Sequence, residues 1–67
     1  MSYPKLRGAI REKFGTQEAF AKALGMHPTT LNAKLSGKTD WTRREIEAAS
    51  RLLELSGETI HAYFFTL

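Results

Sequence analysis

Apolar residues recur along this chain at helical spacing, but each run is soon cut by a glycine, so only a series of short helices can form. In the first run Tyr3, Leu6, Ile10 and Phe14 share a face, with Arg7 and Arg11 on another, and Gly15 stops it. Thr16 is an N-cap candidate for the second helix. Its hydroxyl can accept from an orphan amide, and Gln17-Glu18 place an acid at the positive dipole end. Phe20 and Leu24 form its stripe, Ala19, Ala21 and Ala23 allow close approach, and Gly25 supplies a left-handed C′ residue. Pro28 suits the first position of a third helix with Leu31 and Leu35 inward, closed by Ser36-Gly37-Lys38.

The strongest local signal follows: Thr42 and Glu45 make a capping box, and Trp41 and Ile46 occupy the positions of a hydrophobic staple. The pattern predicts a fourth helix from about Arg43 to Leu55, burying Ile46, Ala49, Leu52 and Leu53. Ser56-Gly57 breaks it, and Glu58 to Phe64 reads as a fifth helix presenting Ile60 and Phe64. Tyr63 to Leu67 also has strand character; the reading adopted is helix, then an extended tail.

A chain of 67 residues has room for one small core, so residues 1–67 are read as a single all-α domain, a compact bundle of about five short helices. Cysteine is absent, which removes disulfides and thiolate metal sites, and His27 and His61 stand far apart without an acidic cluster. Neither metal nor cofactor is expected. Regular helix packing or a dimer must then supply the stability. The opening Met-Ser-Tyr-Pro-Lys has no apolar core of a signal peptide, and no apolar stretch nears the roughly 18 residues of a membrane span. The expectation is a cytoplasmic protein with no membrane partner.

Formal net charge is +3, but it is unevenly placed. Residues 1–44 carry nine Lys/Arg against Glu12, Glu18 and Asp40, a balance of +6; residues 45–67 carry Arg51 against Glu45, Glu47, Glu54 and Glu58, a balance of −3. Such asymmetry fits a basic face for a polyanion, or simply a solvated surface.

The segment QEAFAKALGMHPTTLNAKLS, residues 17–36, joins two short helices through a glycine turn, as a helix-turn-helix unit does when its second helix enters the major groove. Ala21 lets the helices cross, and Phe20, Leu24, Met26 and Leu31 fill the angle between them. With the opening YPKLRGAIREKFGTQEAFAKALG, the SGK loop and the WTRREI start of the fourth helix, the chain resembles the phage repressor and Cro-like helix-turn-helix proteins of the Xre type. That resemblance covers nearly the whole chain. It implies a lambda-repressor-like DNA-binding domain, dimeric binding to operator half-sites and a bacterial host cell. Two residues depart from the family pattern: Lys34 stands where another apolar residue is usual, with Leu35 taking the core contact, and His27 is a weaker N-cap than Ser or Thr.

On this reading His27, Thr29, Thr30, Asn32 and Ala33 face outward from the third helix as base-reading candidates. Asn can bond adenine twice, Thr offers a hydroxyl and a methyl, and His can donate to guanine. Gln17, Lys34, Lys38, Thr39, Arg43 and Arg44 are phosphate-binding candidates, although Arg43 and Arg44 also fit plain helix-surface charges. Trp41 is assigned to the core because of its staple position. Ser56 and His61 lack a third orienting group, so no catalytic site or enzyme activity is expected.

The leading expectation is a Cro-like transcriptional regulator binding a double-stranded DNA operator. Its rival is an antirepressor-type module that binds a second phage regulator; an antitoxin is a further DNA-binding role. The apolar tail, Tyr63, Phe64, Phe65 and Leu67, is read either as a homodimer surface or as packing on the first helix.

Overall fold

The computed structural model describes residues 2–65. They form α1 (Pro4–Phe14), α2 (Gln17–Leu24), α3 (Pro28–Leu35), α4 (Arg43–Leu52) and α5 (Gly57–Phe64), with no strand among the described residues. A Cα radius of gyration of 10.5 Å matches the ~11 Å of a compact chain this long. The helices therefore close on a single core.

Capping chemistry sets most boundaries. Thr16 Oγ1 accepts from the Ala19 amide at 3.1 Å, and His27 Nδ1 accepts from the Thr29 amide at 3.1 Å, so the histidine does cap α3. Thr42 and Glu45 form the complete capping box of α4, with bonds of 2.8 and 3.2 Å. Ser56 caps α5, which begins one residue earlier than Glu58 and runs on through Phe64 in place of any strand. At the end of α2, Gly25 is left-handed at φ 73°, and the Met26 amide reaches back to the Ala21 carbonyl at 2.9 Å. That Schellman closure needs a residue without a Cβ penalty. The helix α4 stops at Leu52 rather than Leu55, because the same closure forms with Glu54 at φ 55° and the Leu55 amide on the Ser50 carbonyl at 2.9 Å.

The core takes Tyr3, Leu6 and Ile10 from α1 and its lead-in, Phe20 and Ala21 from α2, Leu31 and Leu35 from α3, Ala49 and Leu53 from α4 and its end, and Phe64 from α5. Ala21 is fully buried where α2 meets its neighbours, and α2 packs against α1, α3 and α4. Phe14 and Phe20 lie 5.0 Å apart between ring centres. Trp41 sits edge-on to Phe64 at 5.1 Å, which places the staple tryptophan against the inner end of α5.

Phe64 is 4% exposed and belongs to the core, so the tail does not offer it as a homodimer surface. Of the other tail residues, Tyr63 is half-buried, Phe65 is 62% exposed, and Leu67 lies outside the described residues. The alternative expectation fits: α5 packs on α1. Burying one more aromatic side chain stabilises a domain this small more than leaving it exposed for a partner.

Candidate recognition face

Three residues, Gly25, Met26 and His27, connect α2 to α3. Because α3 turns Leu31, Lys34 and Leu35 inward, its opposite face is open to solvent and carries His27, Thr29, Thr30 and Asn32, all exposed. Ala33 is half-buried at the side of the helix, and its carbonyl accepts from the amides of Lys38 and Thr39 at 2.9 and 3.4 Å. Its methyl is thus set back from the outward row. Gln17, half-buried, occupies the first turn of α2.

Lys34 is not a phosphate ligand. It is 6% exposed, its Nζ donates to the Asp40 carbonyl at 2.8 Å, and it pairs with Glu45 Oε1 at 2.9 Å. The sequence carried the signal, since Lys34 follows Leu31 by three positions and so lies on the inward face. An inward ammonium must find a carboxylate, and the capping-box glutamate supplies one. Glu45 Oε1 accepts from both Lys34 and the Thr42 amide, so one oxygen joins α3 to the start of α4. Burial pushes the Glu45 carboxyl up. The Thr42 amide and hydroxyl and the Lys34 ammonium outweigh it and leave the carboxyl below its ordinary value.

Lys38, Thr39, Arg43 and Arg44 are exposed beyond the end of α3, and among the described residues none of the three cations is in an ion pair. They follow in sequence a row that itself lacks charge. Arg7, which sequence reasoning only placed on a face with Arg11, donates from Nε to the Ser2 carbonyl and from Nη2 to the Leu35 carbonyl, both at 2.8 Å. It caps the negative end of α3 from 28 positions away, a contact for which the sequence has no local signal. A third cation, Lys13, pairs with Glu54 at 2.7 Å across the exposed α1–α4 edge. Three of the nine cations of the basic segment are therefore engaged inside the molecule.

Among the described residues no group of three His, Cys, Asp or Glu side chains is placed to hold a metal, and no helix is long and apolar enough to cross a membrane. The face can offer hydroxyl, amide and imidazole hydrogen bonds on a rigid, capped helix.

No curated protein matches the chain at a significant level. Among solved structures it is similar to the modulator of repression (MOR) of the temperate bacteriophage TP901-1 from Lactococcus lactis, determined in solution. The identity is 43% and the TM-score 0.85, over 97% of this chain and 88% of that one. Residues 1–67 match the family described as a protein of unknown function (DUF739), and the chain belongs to that family.

Proposed function

We propose that this chain is a phage regulatory protein that modulates repression by binding a second regulator, rather than by reading an operator on its own. The observation that carries this reading is its similarity, across nearly the full length of both chains, to a protein named for modulating repression. The α3 face supports it physically. DNA affinity comes mainly from neutralised phosphates. Yet the one lysine of α3 is buried against Glu45. What is left outward on α3 is uncharged, a composition that suits a protein surface with satisfied polar groups.

Operator binding is the second reading, and a specific arrangement favours it. Thr29, Thr30 and Asn32 line one outward face, with Lys38, Arg43 and Arg44 exposed after it, as a Cro-like helix-turn-helix regulator would need for base and phosphate contacts. One experiment separates the two. The purified chain is mixed with the repressor encoded by the same genome, and with that repressor's operator, alone and together, at two salt concentrations. Complex formation with the repressor, and no retardation of the operator by the chain alone, is the expected result. Specific, salt-sensitive retardation by the chain alone overturns the protein-binding reading in favour of the operator.

A further inference from the structure

A groove lies where α1 passes the start of α2. It encloses about 480 Å³, and its walls include Arg7, Gly8, Ile10, Arg11, Thr16 and Gln17. Gly8 sits mid-helix in α1 and is exposed. A Cβ built on it would meet nothing within 4 Å. Glycine in a helix interior is destabilising relative to alanine, and nothing inside this molecule requires it here. A bare stretch of helix backbone is useful to a molecule approaching from outside.

The charge of the groove indicates what approaches. Arg11 is exposed and has no ion-pair partner among the described residues. Arg7 is held in place by the Ser2 and Leu35 carbonyls, and no carboxylate neutralises it. Two arginines one helical turn apart flank the bare backbone of Gly8, with the exposed ring of Pro4 in the wall. Guanidinium groups select carboxylates or phosphates, and a groove open at the glycine admits the backbone of an extended chain.

We infer that this groove seats an acidic, extended segment of the partner regulator, its carboxylates on Arg11 and Arg7 and its backbone close to Gly8. The inference deepens the protein-binding reading and rests on it. A chain segment is favoured over a DNA backbone because the groove sets the exposed ring of Pro4 beside its arginines, a pairing of apolar and guanidinium groups that a protein segment can match with both side chain and carboxylate.

The test uses Gly8→Gln, which fills the groove with a good helix former, Arg11→Glu, and Lys22→Glu as a control outside the groove. Melting curves come first, and Gly8→Gln is expected to melt no lower than the unchanged protein. Gly8→Gln and Arg11→Glu are expected to weaken binding of the repressor about tenfold or more, and Lys22→Glu to leave it unchanged. In parallel, the peptide acetyl-Leu-Glu-Leu-Glu-amide is titrated against the isotope-labelled chain, with shifts expected at the amides of Gly8, Arg11 and Gln17. If all variants bind the repressor alike and those amides stay still, the groove assignment is overturned while the protein-binding reading stands. If the unchanged chain binds no repressor, that reading fails, and the groove assignment stands or falls on the peptide alone. Shifts caused by a short DNA duplex but not by the peptide make the occupant a phosphate and overturn the inference.

Discussion

Two Lys–Glu pairs tie helices together in this molecule, and they differ in almost everything but chemistry. Lys34–Glu45 lies at the α3–α4 junction with the lysine enclosed, and shares its carboxylate with a capping box. Lys13–Glu54 bridges α1 and the end of α4 in open solvent, and its glutamate stands in a left-handed backbone position that glycine would occupy without strain. The first pair is part of how α3 is held; the second decorates an edge. Geometry alone does not rank them, because the exposed pair is the shorter, at 2.7 Å against 2.9 Å. Burial and shared partners do.

The largest expected effect is at the junction's aromatic anchor. Trp41→Ala removes the edge contact to Phe64 and the packing of the indole on the core, and is expected to cost about 3 kcal/mol, a large part of the stability of so small a domain. The Trp41 Nε1 is buried without an acceptor, so Trp41→Phe, which keeps a ring and discards that donor, is expected to cost under about 1 kcal/mol. Urea melts of the two variants check this. Equal losses would mean the packing is not what matters.

Next comes the buried pair itself. Lys34→Ala leaves Glu45 without its cation and the Asp40 carbonyl without its donor, at an expected cost of about 2–3 kcal/mol. Lys34→Met keeps most of the volume; if it restores full stability, the pair is dispensable and the junction rests on packing. Either change is also expected to loosen the loop carrying Lys38 and Thr39, measurable as faster amide exchange there.

Acid sharpens the contrast further. Both Glu45 and Glu54 sit below the ordinary glutamate range, the first against the opposing push of burial, the second chiefly through the Lys13 hydrogen bond. Because each binds a proton less readily folded than unfolded, the stability they add is present above the unfolded value and is lost as pH falls through the lowered one. Melting temperature should therefore fall below about pH 4.5, the ordinary glutamate value. Glu45→Gln, which keeps an acceptor for the Thr42 amide, should flatten that fall in high salt as well as low. A Glu54→Gln effect should vanish when salt is added.

What could be read ahead of the structure divides along the same line. The caps at Thr16, Thr42 and Gly25 and the five helices were legible because each depends on residues within one or two turns. The end of α4 was not, because a glutamate does there what glycine signals elsewhere. Lys34 was half legible: its spacing gave the inward face, but its charge suggested solvent. Arg7 on the Leu35 carbonyl and Phe64 under Trp41 depend on the way distant segments meet. The outward row of α3 was legible as a set of positions, since His27, Thr29, Thr30 and Asn32 are exposed. Its ligand was not, because hydroxyls and amides on a helix suit a base edge and a protein groove equally.

The smallest expected effect tests whether the exposed pair compensates for its own backbone. Glu54 occupies a conformation that β-carbon-bearing residues avoid, and the amides of Glu54 and Leu55 close the Schellman turn whatever the side chain. Glu54→Gly relieves that strain and forfeits the pair with Lys13, while Lys13→Ala forfeits the pair alone. If exposed pairs contribute as little as they usually do, Glu54→Gly should raise the melting temperature by about 2–5 °C, and Lys13→Ala should move it by no more than about 1–2 °C. A fall in both, by similar amounts and reversed in neither case by salt, would put the edge pair on the same footing as Lys34–Glu45. The contrast between buried and exposed pairs would then have to be given up for this molecule.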